Sequence, residues 1–140
     1  MFAADRVQHN VSPKNGIIKH LNEGTDVVCD RYYYSSLAYQ GVDGAIDWVA
    51  GMNLDCPFIT KPDICIFLDM DPEKCHEHIR AGRTHFEIYE ENAAMIAETR
   101  RRYGIVFEML KDRDNIAIID STGTIEEVFE QIKTEIDKLL

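Results

Sequence analysis

Three short apolar runs, each closing on an aspartate, constrain this chain most: Val27-Val28-Cys29 before Asp30, Ile64-Cys65-Ile66-Phe67-Leu68 before Asp69, and Ile116-Ala117-Ile118-Ile119 before Asp120. Runs of this length, rich in β-branched residues and without polar alternation, read as buried strands. Helix-compatible stretches separate and flank them. The order helix, strand, helices, strand, helices, strand, helix predicts an α/β fold: a three-layer parallel sheet with helices on both faces. Open sheets of this kind bind ligands outside the carboxyl ends of their strands. Asp30, Asp69 and Asp120 therefore mark the expected functional edge. A chain of 140 residues suffices for one domain, 1–140, with its own core.

The punctuation supports this frame. Met1 to about Asn22 reads as helix interrupted near Ser12-Pro13, with Ile17, Ile18 and Leu21 as an apolar stripe and Gly24 as a stop. The first strand is expected over Thr25–Arg31. A second helical region runs from Ser35 to about Met52, broken at Gly41 and Gly44, and residues 53–62 connect it to the next strand. Asp71-Pro72-Glu73 is a helix start: a capping carboxylate, a proline in the first turn, then an acid. That helix should stop at Gly82. A short polar stretch, Arg83–Phe86, precedes a long helix over Glu87–Leu110. The third strand and a Ser121–Thr124 turn lead into an amphipathic helix, Ile125–Leu140.

Charge and cysteine usage narrow the function classes. The formal net charge of −10 argues against a general nucleic-acid binder, whose footprint is basic, but not against a small anion held by a few arginines. The four cysteines, Cys29, Cys56, Cys65 and Cys75, show no CxxC spacing, and Cys29 and Cys65 fall inside apolar runs. They read as reduced core residues of a cytoplasmic protein. Cys75, His76 and His78 do not share a helix face, which argues against a metal site there. No run is long enough to span a bilayer, and Phe2-Ala3-Ala4 leads directly into Asp5 and Arg6, unlike a signal peptide.

Chemistry concentrates in Thr25–Tyr39, TDVVCDRYYYSSLAY. Arg31 offers a planar fork suited to phosphate, and Asp30 can hold a magnesium-bound water or orient a phosphate-bound nucleophile. The alternative is a surface ion pair at a strand end. Phe2 and Arg6, four apart, share a helix face, as a site pair or as a core aromatic beside a solvated arginine. Arg100, Arg101 and Arg102 splay around their helix, so one at most faces a given ligand.

The motifs FAADR (Phe2–Arg6), DRYYYSSLAYQG (Asp30–Gly41), PDICIFLD (Pro62–Asp69) and RRRY (Arg100–Tyr103), in that order along the chain, resemble thymidylate kinase. The resemblance implies a P-loop kinase-like fold and transfer of the γ-phosphoryl of ATP to dTMP with Mg2+, giving dTDP and ADP. It implies that Phe2 stacks on the base and Arg6 binds its carbonyl oxygen. Arg31 would hold the dTMP phosphate, and Asp30 would position that phosphate and the metal. Ser36 and Gln40 would make polar contacts to the nucleotide, and Tyr39 would pack on the deoxyribose and disfavour a 2′-hydroxyl. A lid over about 82–88 would supply Arg83 as a catalytic cation, and Glu87 as its acid. Homodimers are implied too, with Trp48, Val49 and Met52 as surface candidates.

Two departures accompany the resemblance. The lid reads Thr84-His85-Phe86-Glu87 where bacterial relatives often have Asp-Arg-x-Glu. The chain also contains no Gly-Lys dipeptide, hence no G-x-x-x-x-G-K-[ST] loop to cradle ATP phosphates. The resemblance implies an amino-terminally truncated form that lacks that loop and the central first strand of the sheet, and carries the dTMP half of the site. An alternative is a dTMP-binding or dimerisation module without catalysis.

Overall fold

In the computed structural model, described over residues 2–82 and 93–140, the chain forms two compact units, Met1–Lys61 and Pro62–Leu140.

The first unit is helical. Helices α1 (Phe2–Val11) and α2 (Ile17–Asn22) are separated at Ser12–Gly16, as the proline predicts. Gly24 ends α2 at φ +74°, its N–H donating to the Leu21 carbonyl at 3.0 Å. That left-handed conformation suits a residue without a Cβ. After residues 25–32 come α3 (Tyr33–Ser36), a π-helical turn (Leu37–Gly41) and α4 (Ile46–Leu54). Tyr33, Tyr34, Leu37, Ala38 and Val49 form the buried apolar core of this unit, with Ile59 at its edge. Burial of Val49 removes it from the expected dimer surface, whereas Trp48 and Met52 are exposed.

The expected first strand is not formed. Residues 25–29 have no regular secondary structure and Asp30-Arg31 bend. Val28 is 97% exposed and Cys29 is exposed, so neither is a core residue. The physical reason is pairing: an extended apolar run becomes a strand only when a neighbour accepts and donates its backbone hydrogen bonds. Among the described residues none does so.

The second unit carries the sheet. Strands β1 (Cys65–Asp69) and β2 (Ile116–Asp120) run parallel, in register from Cys65 opposite Ile116 to Asp69 opposite Asp120. The ladder extends at both ends, from the Cys65 N–H to the Asn115 carbonyl at 2.8 Å and from the Ser121 N–H to the Asp69 carbonyl at 2.8 Å. The sheet has two strands among the described residues, against three expected. Leu68 and Ile118 are 52% and 59% exposed, so burial on both strand faces is incomplete.

Three helices complete this unit. Helix α5 (Pro72–Gly82) starts where the Asp-Pro-Glu signal puts it: the Asp71 carboxylate accepts from the Glu73 N–H at 3.0 Å. Helix α6 (Ala93–Leu110) packs Tyr103 and Phe107 on Phe67, with ring centroids 5.0 and 4.9 Å away. Val106 and Leu110 are buried on the same helix. Helix α7 (Ile125–Asp137) opens with a complete capping box, in which Thr124 accepts from the Glu127 N–H at 3.2 Å and Glu127 accepts from the Thr124 N–H at 2.8 Å.

Candidate functional site

The first unit holds a buried polar network. Asn10, Ser36 and Asn53 are all buried in it. Buried amides and hydroxyls are costly unless hydrogen-bonded, and here they are bonded to one another and to Arg6. The Arg6 guanidinium donates to the Asn53 side-chain oxygen and to Ser36 Oγ, the latter at 3.0 Å. Its Cζ lies 5.2 Å from the centre of the Tyr32 ring, a cation–π distance.

Asn10 ties the next layer together. Its Nδ2 donates to the Arg6 carbonyl at 2.9 Å, and its Oδ1 accepts from the Thr60 N–H at 3.0 Å. The Tyr32 hydroxyl lies 2.9 Å from Asn10 Nδ2 and 3.0 Å from the Thr60 carbonyl oxygen. Burial pushes the Tyr32 hydroxyl pKa up, with the Asn10 hydrogen bond opposing it, so the phenol stays protonated. Burial also lowers the Arg6 pKa from its usual value, though a guanidinium keeps its charge at neutral pH.

The chemical meaning lies in what surrounds Arg6. Among the described residues its polar partners are neutral: an amide, a hydroxyl and a phenol ring. No carboxylate there neutralises it. Two hydrogen bonds engage two of the five N–H groups of a guanidinium. A half-buried cation arranged this way suits a ligand carbonyl or anionic oxygen.

The other expected site residues fall around this network. Phe2, one helical turn before Arg6 on α1, is 55% exposed. Ser36 is buried and serves Arg6 directly. Tyr39 and Gln40 follow in the π-helical turn and are exposed. Such turns recur at functional sites because they displace side chains from regular helical positions. Gly41 closes the turn; a Cβ there would come 3.2 Å from the Ile46 Cα, so a bulkier residue would push the start of α4 away. Asp30 and Arg31 are exposed at the end of the extended segment. Arg31 has φ +64°, unusual for a residue with a side chain and costing of order 1 kcal/mol. Strain of this kind concentrates at sites where a side chain must point in one direction.

The carboxyl edge of β1 and β2 holds charges that are already partnered. The Arg100 fork donates to both Asp69 oxygens, at 2.7 and 2.6 Å, which raises the Arg100 pKa. Asp120 accepts from the Thr122 N–H and hydroxyl at 2.9 and 2.7 Å, which lowers its pKa. Arg101 and Arg102 both engage Glu98, holding its carboxyl down at about 2. The three arginines thus turn to different partners. Among the described residues no three His, Cys, Asp or Glu side chains gather to hold a metal ion. Arg83, Glu87 and the rest of the expected lid beyond Gly82 lie outside the described residues.

Comparison with known proteins decides the family. A thymidylate kinase family model matches residues 1–132. The chain belongs to the thymidylate kinase family. It is 33% identical over 133 residues to a probable thymidylate kinase of Staphylothermus marinus, covering 94% of this chain and 61% of that protein. It is 33% identical over 142 residues to the thymidylate kinase of Caldicellulosiruptor saccharolyticus, covering 100% and 66%. A Francisella tularensis thymidylate kinase is 33% identical over 140 residues, covering 99% and 64%. The chain therefore spans about three fifths to two thirds of the length of these curated relatives.

The sequence motifs contain Arg6 and Ser36, which the structure joins by a hydrogen bond, but they do not single out Asn10, Asn53 and Thr60, which bond into the same cluster. Tyr32 was inside the motif but had no role assigned. Asn10 and Asn53 each sit late in a short helix, where the sequence reads as routine polar surface. Their burial is a property of packing that no spacing rule reveals.

Proposed function

We propose that this chain carries the dTMP half of a thymidylate kinase site, serving transfer of the γ-phosphoryl of ATP to dTMP to give dTDP and ADP. The observation that carries the reading is the Arg6 cluster. A half-buried guanidinium, held by neutral Asn53 and Ser36, keeps N–H donors for a base carbonyl. Phe2 on the same helix supplies an exposed aromatic face, and Tyr39 would pack on the sugar. Gln40 adds an exposed amide.

Arg31 would grip the dTMP phosphate. Asp30 would hold Mg2+, whose usual protein share is one or two carboxylates beside substrate phosphates. Asp30 fits that share: it is exposed, and no hydrogen bond or ion pair engages it among the described residues. Bound Mg2+ would neutralise phosphate charge. Arg83 and Glu87 retain the lid roles assigned from sequence. The Gly-rich, lysine-bearing loop for ATP phosphates is not among these 140 residues.

The same reading includes one P-loop kinase-like α/β domain with a three-layer parallel sheet. Residues 25–31 would become a strand once a further strand supplies its hydrogen bonds and covers Val28. It also includes a cytoplasmic homodimer, with exposed Trp48 and Met52 on α4 contributing to the shared surface. No described helix is long and apolar enough to cross a membrane.

Arg31→Ala tests the reading. Affinity for dTMP should fall at least tenfold while affinity for thymidine stays nearly constant, because only the phosphate contact is lost. Equal losses for both ligands would remove Arg31 from the site. A second reading is a dTMP-binding or dimerisation module without catalysis. Wild-type dTMP binding with no ADP release from ATP would support that second reading.

A further inference from the structure

We infer that Asn53 is a positioning residue that aims the Arg6 guanidinium and thereby sets which pyrimidine base the site accepts. This rests on the dTMP reading above and goes beyond it, because Asn53 lies on α4, outside every motif that carried the resemblance.

The geometry is specific. Asn53 is 2% exposed, and its side-chain amide is fixed at both ends. Nδ2 donates to the Val49 carbonyl, one turn back on α4, at 2.7 Å. With the nitrogen committed, Oδ1 is turned toward Arg6 and accepts from its Nη1. Ser36 Oγ accepts from Nη2 at 3.0 Å, and the Tyr32 ring lies 5.2 Å from Cζ. Three neutral groups thus fix the guanidinium plane, while the Asn10 bond to the Arg6 carbonyl fixes its backbone.

The neutrality matters as much as the position. An aspartate at residue 53 would neutralise Arg6 and compete with a ligand oxygen for it. An amide orients the cation and leaves its charge available. A guanidinium offers donors alone. Thymine presents a carbonyl oxygen at C4, and cytosine presents an amino group there. A firmly aimed guanidinium therefore accepts the first and faces the second donor to donor. Without Asn53 the fork can turn away, and the discrimination should relax.

The test is a calorimetric titration of the 140-residue chain with dTMP and with dCMP, for wild type, Asn53→Ala and Asn53→Ser. A serine can still donate to the Val49 carbonyl but is one atom shorter toward Arg6, so it serves where the alanine variant fails to fold. Wild type should prefer dTMP. Either variant should lose about tenfold in dTMP affinity while dCMP affinity stays within about twofold, so the ratio collapses. In an Arg6→Lys background, Asn53→Ser should not change the ratio further. A preserved ratio, or equal losses for both nucleotides, would overturn the positioning role while leaving the dTMP reading intact. Wild type that does not prefer dTMP would overturn that reading and this inference with it.

Discussion

The unit Met1–Lys61 and the unit Pro62–Leu140 solve different problems with similar helices. The second is held by apolar packing: the rings of Phe67, Tyr103 and Phe107 pack together, Val106 and Leu110 are buried on the same helix as Tyr103 and Phe107, and its ion pairs lie mostly on the surface. The first buries Asn10, Ser36 and Asn53 around a cation. A buried polar group contributes little net stability when satisfied and costs much when it is not. A network of this kind fixes positions rather than adding stability. The second unit is organised by apolar packing and the first by a polar network.

The largest expected effect is in the scaffold. Phe107→Ala removes a ring packed on Phe67 and Tyr103, and should cost about 3–5 kcal/mol in a urea unfolding measurement. A cost below about 1 kcal/mol would mean the second unit is not held by this cluster.

Asn10→Ala sharpens the contrast from the other side. It strands the Thr60 N–H and removes partners from Tyr32 and the Arg6 carbonyl. A loss of about 2–3 kcal/mol is expected from unsatisfied buried groups. Nucleotide affinity should fall as well, an effect that Phe107→Ala should not share where the chain remains folded. If Asn10→Ala is neutral for both, the first unit is not organised by its polar network.

Smaller effects belong to surface devices of the second unit. Thr124→Ala removes the capping box of α7 and should cost about 1 kcal/mol, read from the same denaturant curves. Glu98 gives the weakest signal. Its carboxyl, held at about 2 by Arg101 and Arg102, is ionised in the folded chain at pH values where it protonates in the unfolded one. The stability it contributes is present above the ordinary glutamate value of about 4.3 and is lost as pH falls from there through about 2. Asp120, also lowered, acts with the same sign. Glu98→Gln should therefore lower stability slightly at neutral pH, with the difference from wild type shrinking as pH falls toward about 2, so that the acid limb is flattened. A change at pH 7 equal to that at pH 3 would contradict the assignment.

The same contrast explains what the sequence disclosed. In the second unit the local signals and the fold agree: Asp71-Pro72 starts α5, Thr124 starts α7, and the apolar runs 64–68 and 116–119 enclose the paired strands. These rest on capping and periodicity, which a single sequence displays. Residues 25–31 carry equally strong strand chemistry, yet they are unpaired among the described residues. Strand propensity is a statement about fitting a sheet, and the neighbour decides whether it is realised. In the first unit, Arg6 and Ser36 were legible because the motifs containing them resemble a known family. Asn10 and Asn53 were not, because their importance comes from being buried between elements far apart in sequence: residues 10 with 60, and 53 with 6.

The central claim is that the polar network of the first unit is a preformed dTMP site. Titrating the purified 140-residue chain with dTMP, with UMP as the control, tests it most directly. The account predicts saturable binding of dTMP and at least tenfold weaker binding of UMP, since Tyr39 would oppose a 2′-hydroxyl. Absence of binding to a folded chain, or equal binding of the two nucleotides, would contradict it.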